Sequence, residues 1–151
     1  MNKINLNSTF KKISFDKDLQ LSKSLLNSKI NNSNILVIGG AGTIGSSYIK
    51  QILKHKPSKI TVVDINENGL TELTRDLRSS NLLDYKPEYI TYPVNLLSDT
   101  FDKIFNSESW QVVANFSAHK HVRSEKDKIS VEALIKNNVF GAIKLLNLCE
   151  G

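Results

Sequence analysis

In the stretch Gly39-Gly40-Ala41-Gly42-Thr43-Ile44-Gly45, glycines recur every third residue directly after the wholly apolar run Ile35-Leu36-Val37-Ile38. Few folds accept that combination. A short run without polar alternation fits a central parallel strand covered on both faces. Thr43 to Leu53 has helical character that ends at His55-Lys56-Pro57. Glycines at such a junction have three uses. Gly39 permits a tight turn off the strand, Gly42 lets backbone approach a ligand without a Cβ in the way, and Gly45 lets the helix pack close to the strand. The N–H groups at the helix start, with the positive end of its dipole, then suit a pyrophosphate. Glycine spacing alone is a weak signal; the flanking strand and helix give it weight.

The alternation continues downstream. Lys59 to Val63 is a second apolar, β-branched run, and Asn66 to Arg78 spaces Leu70, Leu73 and Leu77 by three and four. Glu88 to Val94 reads as a third strand, weakened by Pro93, and Leu97 to Phe105 as a short helix. Gln111 to Phe116 reads as a fourth strand and Ser130 to Cys149 as a long helix. Strands alternating with helices imply right-handed crossovers and a parallel sheet. The expectation is an α/β fold, a Rossmann-type doubly wound parallel sheet of spatial order 3-2-1-4. The pattern stops at Gly151, so the sheet is expected to be truncated after the fourth strand and its following helix. Residues 34–151 are then the N-terminal part of such a domain. Residues 1–33 read as a leader, partly helical or disordered, in which Leu19, Leu21, Leu25, Leu26 and Ile30 have partly helical spacing.

Charge and composition exclude several function classes. The net charge is +5, but residues 1–33 hold six lysines against Asp16 and Asp18, so the leader carries +4 of it. A domain that reads phosphate backbones concentrates its charge on the folded body; no nucleic-acid partner is expected. No run of eighteen apolar residues exists, so no membrane span is expected, and without a secretory signal the cytoplasm is the default location. The single cysteine, Cys149, falls in an apolar helical pattern and reads as a small buried side chain. His119 and His121 lie two apart with no further His or Cys nearby, too few ligands for a metal.

Asp64 ends the second strand, 19 residues after Gly45. A carboxylate near that offset accepts hydrogen bonds from the ribose hydroxyls of a dinucleotide and repels a 2′-phosphate, which favours NAD over NADP. Lys120, in the polar loop after the fourth strand, reaches the ribose or phosphate region, because that loop borders the crevice at the carboxyl ends of the strands. No Gly-Lys-Ser/Thr follows the glycines, which excludes an NTPase phosphate loop.

Together the glycine turn, Asp64, Asn115 to Val122 and Asn137-Asn138-Val139-Phe140-Gly141 resemble an extended short-chain dehydrogenase/reductase. Within it they are most similar to nucleotide-sugar epimerases and dehydratases, especially the CapD-like polysaccharide biosynthesis branch, which Ala118-His119-Lys120-His121-Val122 and Glu125 match closely. The resemblance covers roughly residues 30–151. It implies that Thr43 and Ile44 lie against the pyrophosphate, that Asp64 and Ile65 hold the adenosine ribose, and that Asn95 and Leu96 flank the adenine. Asn95 stands where the family more often has Asp. Phe116, Ser117, Ala118 and Lys120 match a stretch lining the nicotinamide half, and Asn138 matches a helix asparagine that orders the active site.

The implied chemistry is a transient oxidation at sugar C4, followed by epimerisation or by elimination of water. It needs the Tyr of a Tyr-x-x-x-Lys pair, and none of Tyr48, Tyr85, Tyr89 or Tyr92 has a lysine four residues on. No catalytic residue is therefore assigned here, and the pair is expected beyond Gly151. The function expected is the NAD-binding portion of a UDP-sugar 4-epimerase or 4,6-dehydratase, with a nucleotide sugar as partner in the full-length protein. A stand-alone, non-catalytic dinucleotide-binding or interaction module is the alternative. The C-terminal helix forms dimer contacts in many relatives, so a homodimer is a further implication.

Overall fold

The structure is a computed structural model that describes residues 16–119 and 127–150. Two leader helices, α1 (Asp16–Leu21) and α2 (Lys23–Ile30), precede β1 (Asn34–Ile38). Then come α3 (Thr43–Ile52) with a 3₁₀ turn at Leu53–His55, β2 (Lys59–Val63), α4 (Glu67–Ser79), β3 (Glu88–Tyr92), α5 (Asp99–Asn106) and β4 (Val112–Asn115). α6 (Lys128–Ile135), a π-helical turn (Lys136–Phe140) and α7 (Gly141–Glu150) follow. The sheet runs β3-β2-β1-β4 with every pair parallel.

Successive residues of β1 point to opposite faces of the sheet, and each face has its own core. Ile35 and Val37 pack with Ile60 and Val62 against Ile49 and Ile52 of α3 and against Leu70, Leu73 and Leu77 of α4. Leu36 and Ile38 join Val63 against Leu96, Phe101 of α5 and Leu145 of α7. The apolar run is thus buried on both sides, as a central parallel strand requires. α3 and α4 cover one face, α5 and α7 the other. Ile30 of the leader belongs to the first core, with Leu26 packed against it.

At the foot of the sheet the buried Lys59 ammonium is bound by Glu88 at 3.0 Å and by Glu108. Burial by itself lowers the Lys59 pKa, but the hydrogen bonds and charges of Glu108 and Glu88 outweigh it and hold the group above the usual lysine range. A buried ammonium survives when carboxylates surround it in this way. The backbone N–H of Asn34 donates to Gln111 Oε1 at 2.8 Å, tying the start of β1 to that of β4.

The elements depart from expectation in four places. β3 ends at Tyr92, two residues early, because Pro93 has no N–H and Val94 turns back to donate to the Tyr92 carbonyl at 3.0 Å. The leader forms two helices where one was expected. The long C-terminal helix begins at Lys128, where Asp127 caps it by accepting from the N–H groups of Ile129 and Ser130 at 2.9 Å, and it contains the π turn. Cys149, expected to be buried, is exposed; Leu145 and Leu148 are the α7 residues that turn to the core.

Candidate functional site

The glycine turn joins β1 to α3 at the carboxyl end of the sheet. Gly39 has φ +73°, a left-handed conformation that glycine adopts without strain, and its N–H donates to the Val63 carbonyl at 2.8 Å. A Cβ there would lie 2.4 Å from the Ser117 nitrogen, so the turn abuts the exit of β4. A Cβ on Gly45 would lie 2.3 Å from the Gly39 oxygen, whereas one on Gly42 would meet that same atom at an ordinary 3.4 Å. Gly42 is exposed and is the N-cap of α3, and no side chain caps the helix. The first N–H groups of α3 are therefore available to an outside acceptor. Thr43 and Ile44 stand exposed beside them.

Gly40 was not singled out by the spacing, yet it is equally constrained. A Cβ on it would sit 2.3 Å from Val62 Cγ1. Its one sequence signal is its place as the second of two glycines directly after an apolar run.

Asp64 is half-buried at the end of β2. Its Oδ2 accepts the Ala41 N–H at 2.9 Å, which ties it to the glycine turn, and its Oδ1 accepts the Asn66 N–H at 2.9 Å. Each oxygen keeps acceptor capacity. The N-cap of α4 is Asn66, which accepts from Gly69 N–H at 3.0 Å, so Asp64 is not spent on capping that helix. Ile65 beside it is 69% exposed. The Asp64 N–H donates to the Tyr92 carbonyl at 3.2 Å, which brings the ends of β2 and β3 together.

Beyond β3, Asn95 is exposed and its Oδ1 accepts the Leu97 N–H at 2.8 Å. Leu96 has its side chain in the core at 4% exposure, so it is its backbone that can meet a ligand. At the exit of β4 the Phe116 N–H donates to the Ile38 carbonyl at 2.7 Å, and its ring packs, tilted by 50°, against that of Tyr48 of α3 at 5.0 Å between centroids. Phe116 therefore borders the crevice through backbone, with its ring packed back against the helix. The Ser117 N–H and hydroxyl both donate to Asn115 Oδ1, at 3.0 and 2.7 Å, and Ala118 is exposed.

Asn138 reaches this loop from the π turn. Its Oδ1 accepts the His119 N–H at 2.8 Å and its Nδ2 donates to the His119 carbonyl at 3.1 Å, so one side chain holds both backbone groups of His119. The π turn that presents Asn138 interrupts the single α-helix that apolar spacing predicts. Lys120 and His121 lie outside the described residues. Among the described residues no group of three His, Cys, Asp or Glu side chains could hold a metal, and no helix is long and apolar enough to cross a membrane.

The turn, Asp64 and the β4 exit thus form one contiguous mouth. Compared with known families, residues 35–151 match the one described as "Polysaccharide biosynthesis protein". The chain belongs to that family. The capsular polysaccharide biosynthesis protein CapD of Staphylococcus aureus is 26% identical over 130 residues, which cover 82% of this chain and 20% of that protein. Among solved structures, Pen from Bacillus thuringiensis is 25% identical with a TM-score of 0.65, over 79% of this chain and 34% of Pen. The Bordetella bronchiseptica enzyme WbmF, determined in complex with NAD+ and UDP, shares the fold with a TM-score of 0.59 at 20% identity, over 80% of this chain and 33% of WbmF. This polysaccharide biosynthesis family member therefore spans a fifth to a third of the length of these relatives.

Proposed function

We propose that residues 34–151 are the N-terminal, NAD-binding part of a nucleotide-sugar 4-epimerase or 4,6-dehydratase acting in surface polysaccharide synthesis. The observation that carries this reading is the uncapped start of α3 beside the Asp64 carboxylate, at the carboxyl ends of adjacent parallel strands. That pairing suits a diphosphate on the amides and a ribose on the carboxylate. In this reading Gly39, Gly42, Thr43, Ile44 and Gly45 surround the pyrophosphate, and Asp64 and Ile65 the adenosine ribose. Asn95 and the Leu96 backbone flank the adenine, while Phe116, Ser117, Ala118 and Lys120 line the nicotinamide half. Asn138 fixes the loop that carries Lys120. Membership of the family and the UDP bound to WbmF support a UDP-sugar as the substrate of the full-length protein. NAD and nucleotide sugars are cytoplasmic metabolites, and the reading puts the chain there.

Calorimetric titration tests it. NAD is expected to bind this chain and NADP to bind roughly tenfold or more weakly, the discrimination of about 1.4 kcal/mol that one repelled 2′-phosphate readily supplies. Asp64→Ala should bring the two affinities together. An absence of NAD binding, or discrimination unchanged in Asp64→Ala, would overturn the reading.

The same reading includes a homodimer. Val131, Ile135, Val139, Ile143 and Leu146 are 41–62% exposed and recur every third or fourth residue along α6, the π turn and α7. Such an apolar stripe marks an interaction face. Antiparallel pairing of two copies about Val139 would set Lys128 of one opposite Glu150 of the other, as a two-fold axis allows. Sedimentation should give twice the monomer mass, falling to the monomer in Ile135→Glu/Ile143→Glu; a monomer for the unaltered chain refutes the dimer.

A further inference from the structure

The opposite end of the sheet carries a second recess. Leu26 and Ile30 of α2 face Tyr48 and Ile52 of α3 across an apolar groove of about 690 Å³. The groove adjoins a polar recess of about 550 Å³, with which it shares Asn27, Lys54 and His55, and which Lys56 completes. Asn31 leads towards β1 and Lys56 towards β2, so the polar recess lies at the amino ends of the strands, and the groove runs from it along α3 as far as Tyr48.

The charge in these walls has one sign. Among the described residues neither lining includes an Asp or Glu, while Lys23, Lys54 and Lys56 contribute ammonium groups. Among the described residues the ion-paired lysines are Lys50, Lys59 and Lys144. Lys54 donates to the neutral Gln51 Oε1 at 2.9 Å, and His55 Nδ1 is held by Asn27 Oδ1 at 2.6 Å.

We propose that this composite recess binds a single-chain amphiphile with an anionic head, its apolar chain in the groove and its head at Lys54 and Lys56. Each hollow has the volume of a small-molecule site, and an apolar wall with a few convergent polar groups is the usual make-up of one. Burial of the chain supplies the driving force and the ammonium groups select the head. The chain's own residues 1–15 offer Ile4, Leu6, Phe10, Ile13 and Phe15 to such a groove, but Lys3, Lys11 and Lys12, with no Asp or Glu among them, give that segment the same sign of charge as the walls. An anion satisfies those walls.

The probe is dodecyl phosphate below its micelle concentration, titrated into the 15N-labelled full chain. Saturable shifts are expected at the amides of Leu26, Tyr48 and Ile52, with the glycine turn unmoved. Lys54→Gln/Lys56→Gln should bind roughly tenfold more weakly, as loss of two partly exposed ion pairs implies. Its melting temperature should be unchanged, since neither lysine is core. Neutral dodecyl maltoside and inorganic phosphate should each bind far more weakly than the probe. Equal affinity for either, no loss in the double variant, or association with anionic phospholipid vesicles but not with the monomeric probe, would overturn the proposal.

Discussion

Gly42 and Gly45 make the same chemical statement in the sequence and do different work in the molecule. A methyl on Gly45 would drive into the Gly39 carbonyl at 2.3 Å, so Gly45→Ala should destabilise by about 1–3 kcal/mol in urea unfolding. Gly42→Ala meets only an ordinary contact at 3.4 Å and changes a cap, which costs less than about 1 kcal/mol. It should nevertheless weaken NAD binding in calorimetry, because its methyl stands beside the outward N–H groups. A reversed ranking in stability, or NAD affinity untouched by Gly42→Ala, would refute this division. The three-residue spacing made these positions legible. Gly40 was not, because its constraint comes from Val62, 22 residues away, and a glycine beside a glycine adds no spacing. The inward turn of Leu96 was hidden likewise: it depends on packing against Phe101 and Leu145, which local sequence does not reveal.

Among the elements, the helix from Lys128 to Glu150 shows most clearly what periodicity reads and what it misses. Apolar spacing predicts one helix there, and the backbone keeps right-handed dihedrals through Lys136 and Gly141. The π turn leaves no mark on composition. Its effect is on direction. A four-residue repeat drifts about 40° per step around an α-helix, and one wide turn takes some of that drift back, keeping Val131, Ile135, Val139 and Ile143 near one line. The same turn aims Asn138 at His119. Removing that grip by Asn138→Ala should raise hydrogen exchange at the His119 amide by roughly tenfold, with about 1 kcal/mol or more lost locally. Unchanged exchange would show that other contacts hold the loop. The four strands and their order were legible because alternating strands and helices leave few right-handed topologies. The seat of the leader was not, because Leu26 and Ile30 find their partners only once α3 is folded.

For the molecule as a whole, four titrating groups weaken it on the alkaline side. Burial pushes Tyr85 up to about 12, and its hydroxyl lacks a hydrogen-bond partner; burial also raises Tyr48 and Tyr89. Each holds its proton in the folded state after the unfolded chain has released it near pH 10. That stability is fully present below pH 10 and is lost as pH rises through the folded values. Lys59, also raised, acts in the same direction. The urea midpoint should therefore hold between pH 7 and 9 and fall above about pH 10. Tyr85→Phe should remove part of that fall without loss at pH 7, since it deletes an unpartnered buried hydroxyl. An identical alkaline decline in the variant would refute the assignment. Finally, Gly39 rests on the backbone of Ser117 with no room between them. The two lips of the mouth are consequently a single casting. A bulkier residue or an inserted one on either side shifts the other, so natural variants that retune one lip should carry a matching change across the gap.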